Sequence, residues 1–171
     1  MNYFEEIEVG TRRVLGSHTF TAADIKRFAA AFDPQPFHVD EAAAECSHFG
    51  GLVASGWHTA SVWMKLNVLD LQRWTEELRA AGVPIATKGP SPGFEALAWP
   101  NPVHAGDTVT FEREIAAKRP SRSRPGWGLV TFQNTGRNQR GEVVLSFRAH
   151  NFIERRVPEP LGTDDVQTAD Q

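Results

Sequence analysis

A carboxylate and an imidazole stand five residues apart in Asp33-Pro34-Gln35-Pro36-Phe37-His38, with a proline on either side of Gln35. Such a pair suits general acid/base chemistry, in which a positioned side chain that moves a proton contributes roughly 10²-fold to 10⁴-fold. A water held between the two groups is the natural target. Each proline disfavours helical geometry in the residue before it and has no N–H to donate. The segment from Asp33 to His38 is therefore expected to be stiff and extended. Aspartate before proline is also an ordinary turn signal, so these residue types leave open a second role, with Asp33 capping a turn and His38 capping the helix that follows.

The elements around this segment must hold it. Residues 11–20 mix β-branched and polar side chains and read as a strand, after which Thr21 caps a helix starting at Ala22, with Asp24 three residues on. Ile25, Phe28, Ala29 and Phe32 recur at helical spacing and predict one buried stripe that ends near Phe32. Asp40 can cap a short helix through Glu41 to Glu45, closed by Gly50 and Gly51. A longer central helix is expected to begin around Gly56 and to run to about Arg79 with a break, with Gly82 and Pro84 marking its end. Residues 94–99 form a short apolar strand in a stretch rich in proline and glycine. Farther on, Val109, Phe111, Ile115 and Ala117 alternate with polar residues, as do Val143, Leu145, Phe147 and Ala149, and another strand spans residues 128–135. The pattern predicts an α+β domain in which an antiparallel sheet wraps a long helix.

At 171 residues the chain fits one domain, expected over residues 1–157, followed by a polar, disordered tail over 158–171. A formal charge of −3 gives no field that would attract nucleic acid or an anionic membrane, and no segment is apolar over the roughly 20 residues that span a bilayer. The first ten residues carry Glu5, Glu6 and Glu8 and do not read as a secretory signal. With Cys46 as its single cysteine, read as a small buried side chain, the chain is expected to work in the reducing cytoplasm. His48, His58, His104 and His150 lack metal-ligand spacing, so no metal site is expected. Lys118, Arg119, Arg122 and Arg124 form a basic run that could meet phosphate groups or be a solvated loop.

Asp33, Pro36 and His38 match the MaoC-like, hydratase-2 motif of aspartate, any residue, asparagine, proline, any residue and histidine, with Gln35 in the asparagine's place. The chain thus resembles the R-specific enoyl-CoA hydratases of that family, and the resemblance implies a single hotdog domain. Phe49 to Thr59 looks like the family's glycine-bearing entrance to the central helix, where the N–H at the position of Gly56 helps bind the thioester oxygen. A helix amino terminus offers unpaired donors and partial positive charge for that purpose. Pro102 to Asp107 resembles the turn that many hotdog domains place before a long strand. The implied reaction is hydration of a trans-2-enoyl-CoA, or its reverse, with Asp33 and His38 holding the water and the product a 3-hydroxyacyl-CoA of R configuration. The resemblance implies no metal or redox cofactor, an acyl-CoA substrate, and at least a homodimer. Two other functions share the fold. A hotdog thioesterase would direct water at the carbonyl carbon and often carries a carboxylate on the central helix, where residues 57–69 have none. A noncatalytic acyl-thioester binding protein would not need both Asp33 and His38.

Overall fold

The computed structural model describes residues 2–156; the expected tail over 158–171 lies outside them. Strand β1 (Arg12–Thr19) leads into helix α1 (Ala22–Phe32), and Thr21 caps that helix by accepting a hydrogen bond from the Asp24 N–H at 3.1 Å. Ile25 and Ala29 are buried as the periodicity predicts, but Phe32 is 75% exposed. The stripe stops a turn early because α1 ends there, leaving the Phe32 ring against Phe28 at the surface, 5.0 Å between centroids.

The segment after α1 is not extended throughout. Gln35 is extended (φ −73°, ψ 144°), as the residue before a proline must be, yet Pro36–Val39 forms a helical turn, α2. Proline fits the first position of a helix, where its missing N–H would have had no helical partner. The second proline therefore starts a turn and folds His38 inward. Helix α3 (Glu41–Glu45) is capped by the Asp40 side chain, which accepts from the Ala43 N–H at 2.9 Å. It closes at Cys46, sooner than the glycines suggested, and this leaves the thiol exposed, contrary to the expected burial.

Helix α4 (Gly56–Ala80) is continuous, without the expected break. The polar residues that interrupt its apolar pattern are buried with partners from the sheet. Asn67 accepts from Arg113 at 2.7 Å, and Asp70 accepts from Arg13 Nε at 2.9 and 2.7 Å. Gly82 turns the chain out of the helix with φ +66°. Strands β2 (Gly93–Ala98), β3 (Thr108–Pro120), β4 (Trp127–Arg137) and β5 (Val143–Glu154) join β1 in one antiparallel sheet of order β1-β3-β4-β5-β2.

The sheet and α4 enclose the main core. Trp63 meets Phe147 edge to face at 4.6 Å, with Leu15, Phe20, Val109, Phe111 and Leu145 packed around them. Burying such side chains contributes about 1.5–3 kcal/mol each. Val109 and Phe111 face inward as their alternation predicts, but a register shift between Ile115 and Ala117 turns Ala117 to solvent. An extra residue in one strand reverses the alternation beyond it. This is the expected hotdog arrangement of a sheet around a central helix. Among the described residues no helix is long and apolar enough to cross a membrane.

Candidate active site

Three element ends meet at the amino end of α4. Asp33 is the residue at which α1 stops, His38 lies on α2, and Ser55 and Gly56 open α4. Across from them runs the loop that follows β2. It is tied to the chain before α4 by two backbone bonds, Ala54 N–H to Val103 O at 2.8 Å and Ala105 N–H to Leu52 O at 2.9 Å. Between these pieces lies a cavity of about 440 Å³ walled by Asp33, His38, Ser55, Gly56, Trp57 and Trp99, among others.

The His38 ring is 5% exposed, and its Nδ1 is 2.7 Å from the carbonyl oxygen of Val53. A carbonyl only accepts, so the proton sits on Nδ1, and Nε2 of the neutral ring is an acceptor. That Nε2 is 3.5 Å from Asp33 Oδ2. The other carboxylate oxygen, Oδ1, accepts from Gln35 Nε2 at 2.9 Å. Burial pushes the Asp33 carboxyl up, but hydrogen bonds from Ser55 and Gln35, with the field of His38 when that ring is protonated at low pH, outweigh it and hold the group below the usual carboxylate range. Asp33 is therefore ionised at neutral pH. Two acceptors thus face each other, and a water beside them can donate one proton to each.

The Gly56 N–H has no hydrogen-bond partner among the described residues. The carbonyl four residues before it, that of Leu52, is occupied by the Ala105 N–H. An open donor at the positive end of α4 therefore belongs to a residue that lines the same cavity as the acceptor pair. Glycine is required here by close approach, since a β-carbon at position 56 would lie 2.6 Å from Trp99 Cε2. Trp99 in turn meets Trp57 edge to face, 5.3 Å between centroids.

Asp33, His38 and Gly56, the three residues singled out from sequence, thus line one cavity. The Gln35 amide, standing where the motif has asparagine, bonds the Asp33 carboxylate itself. The basic run does not join them. Lys118 bonds the carbonyls of Phe4 and Glu5, and Arg119 stands about 35 Å of strand length from Thr108, at the far end of β3. Asp70, the first acid along α4, is committed to Arg13. The sequence reading missed two residues. Ser55 carries a legible sign, a serine just before a helix amino terminus, whereas nothing in the sequence places Trp99 over Gly56.

A sheet wrapped on a long helix, with an acid/imidazole pair and an open donor at the helix's amino end, defines a hotdog protein equipped for acid/base chemistry. The chain matches the MaoC like domain over residues 6–132, and it belongs to the MaoC-like dehydratase family. The crystal structure of a MaoC-like dehydratase from Rhodospirillum rubrum is 42% identical, with a TM-score of 0.73, and the match covers 92% of this chain and 99% of that one. The (R)-hydratase from A. caviae involved in PHA biosynthesis is 25% identical with a TM-score of 0.60, over 88% of this chain and 98% of that one. Mesaconyl-CoA hydratase of Haloarcula marismortui is 34% identical over 80 residues, which are 46% of this chain and 22% of that protein.

Proposed function

We propose that the protein adds water reversibly across the double bond of a trans-2-enoyl-CoA. The observation that carries this reading is the convergence of the ionised Asp33, the Nε2 acceptor of His38 and the unpaired Gly56 N–H on one cavity. The thioester oxygen accepts from the Gly56 N–H, which draws electrons from the double bond and makes C3 electrophilic. Asp33 and His38 hold the water by its two protons. The water oxygen bonds to C3 while the π pair moves toward the thioester oxygen as an enolate. One water proton passes to the Asp33/His38 pair, and a proton from the pair closes the C2 position. The pair ends as it began, and the product is a 3-hydroxyacyl-CoA; dehydration retraces the path. The residues described supply every proton transfer in this scheme.

The similarity of the chain to an (R)-hydratase and to a mesaconyl-CoA hydratase supports the class of reaction. Hydrolysis of the thioester is the second reading, since the same N–H could polarise the carbonyl for attack by the same water. Mixing the protein with crotonyl-CoA and following the enoyl absorbance, with a free-thiol assay in parallel, separates the two. Loss of enoyl absorbance without thiol release is expected. Thiol release would establish the thioesterase, and neither signal would leave a binding protein.

We also propose a homodimer or higher homo-oligomer, working in the cytoplasm. Strand β2 is a sheet edge, and beside it Phe94, Trp57, Met64 and Val68 are exposed. A second copy would cover both features. Sedimentation is expected to show at least a dimer, and a monomer at working concentration would overturn this.

A further inference from the structure

We infer that the small cavity beside the carboxyl-terminal half of α4 is a second binding site, one that takes a short-chain monocarboxylate on the guanidiniums of Arg13 and Arg113. Trp74, in its wall, lies eighteen residues along α4 from Gly56, about 27 Å of helix rise. The site therefore stands apart from the reactive cavity and does not rest on the reaction proposed there.

One carboxylate serves three guanidiniums here. Asp70 is buried, 2.7 Å from Arg13 Nε and 3.8 Å from an Nη2 of both Arg73 and Arg113. The Arg73 side chain is largely in solvent, which screens its charge, whereas Arg13 and Arg113 are more withdrawn and share the one anion. Burial weighs against the charge on Arg113, Asp70 offsets it and Arg13 adds to it, so the guanidinium is held below its usual pKa. The flanking rings, Trp74 at 5.4 Å from Arg13 and Phe132 at 5.2 Å from Arg113, attract the cations without neutralising them. A second anion would balance the pair.

The two arginines also have donors to spare. Nη1 of Arg113 donates to Asn67 at 2.7 Å and Nη2 stands 3.8 Å from Asp70, so the end of this guanidinium is turned to α4. Its Nε–H has no hydrogen-bond partner among the described residues, and neither have the terminal nitrogens of Arg13, which bonds Asp70 through Nε alone. None of these atoms is sealed in the interior, and both residues line a cavity of about 160 Å³. Ile7, Trp74, Ile115 and Phe132 form its apolar wall, exposed Thr11 and Arg12 complete it, and among the described residues no carboxylate lines it. A carboxylate is planar and accepts two parallel N–H bonds from a guanidinium edge. Its hydrocarbon tail then lies against the apolar wall. Phosphate has no apolar part and would leave oxygens against those side chains without partners. The volume is that of about five waters, which limits the tail to a few carbons.

Butanoate is the probe, added to the whole protein at constant ionic strength. The readouts are two NMR signals, the Nε–H of Arg113 and the indole N–H of Trp74, assigned by their loss in Arg113→Lys and Trp74→Phe. Lysine at position 113 keeps a cation beside Asp70 but has no planar fork, so this variant removes bidentate recognition without leaving the acid unpaired. Butanoate is expected to shift both signals saturably, one molecule to a chain. Butan-1-ol, with the chain and no charge, and inorganic phosphate, with the charge and no chain, should each bind at least about tenfold more weakly, the worth of roughly one charge-assisted hydrogen bond. In Arg113→Lys the Trp74 signal should follow butanoate about tenfold more weakly as well. No saturable shift of either signal in the natural protein overturns the inference, whatever the variants do. Butan-1-ol binding as tightly as butanoate would make the cavity apolar only, phosphate doing so would make it a bare anion patch, and undiminished binding in Arg113→Lys would remove the fork; each of these overturns it too.

Discussion

Replacing Gly56 by proline and, separately, by alanine divides the two things that glycine does at that position. Gly56 is the first residue of α4, and Ser55 before it is extended at ψ 141°, the conformation that a residue preceding proline adopts. A proline at the first helical position removes no intrahelical bond. The backbone therefore accepts it, and strain at the helix entrance is a minor effect. Both variants do place a β-carbon 2.6 Å from Trp99 Cε2 and 2.7 Å from Cδ2, so both must displace the indole. That steric cost is common to the two. Only proline also deletes the N–H, and loss of one oxyanion donor costs about 10²-fold to 10³-fold in kcat, about 2.7–4 kcal/mol. Proline should accordingly fall below alanine by that factor on crotonyl-CoA, with circular dichroism showing both variants folded. Trp99→Ala provides the control: in that background Gly56→Ala should recover activity and Gly56→Pro should not. A proline variant within threefold of the alanine variant would refute the assignment of the Gly56 N–H to the thioester oxygen.

Asp33→Asn and His38→Gln should each lower turnover about 10²-fold to 10⁴-fold, and the double variant should match the worse single one if both grip one water; a fully active His38→Gln enzyme would sink the mechanism. His58 is buried on the first turn of α4, stacked on Phe28 at 4.6 Å with its Nδ1 unpartnered, and burial, with His18 and Arg27 adding to it against Asp24, lowers its pKa to about 4. The folded state thus refuses a proton that the unfolded chain accepts below about pH 6.5, so stability present at higher pH is lost as pH falls, by about 3 kcal/mol at pH 4. Urea unfolding at pH 7 and pH 5 should show much of that loss in the natural protein and little in His58→Phe; equal losses would contradict it. Asp70→Asn should destabilise by about 3 kcal/mol, because it leaves the guanidiniums of Arg13, Arg73 and Arg113 gathered around a neutral group, and a midpoint unchanged in urea would show that the ion pairs contribute nothing.

Those features divide by the range of the interactions behind them. The limits of α1 and the start of α4 were legible because their signals are local: Thr21 caps α1, Pro34 and Pro36 stop it, and Gly56 opens α4. The Asp33/His38 pair was legible because five residues of chain hold both members. What fixes the roles of these groups comes from farther away. The His38 tautomer is set by Val53, fifteen residues on, and the closeness of Trp99 to Gly56 is set by a loop that pairs with the chain before α4. The same distance effect explains the errors. Asn67 and Asp70 look like an interruption of α4 until Arg113 and Arg13 arrive from the sheet, and the turn of Ala117 to solvent follows from a bulge that exists only in pairing with β4.

The cavity sorts polarity in a way that narrows what can bind. Along the amino end of α4 it offers a donor, the Gly56 N–H, and across from it two acceptors, the Asp33 carboxylate and His38 Nε2. A carbonyl oxygen has a partner only on the first side, and a group with two protons to give has partners only on the second. An enoyl thioester and a water satisfy both sides at once, and so does a 3-hydroxyacyl thioester whose hydroxyl points at the pair. A free carboxylate does not, since its charge would face the ionised Asp33. The arrangement depends on the His38 proton being on Nδ1, where the 2.7 Å bond to the Val53 carbonyl holds it. Were that proton on Nε2 instead, His38 and Asp33 would satisfy each other across 3.5 Å, and the water would lose the acceptor pair that holds it.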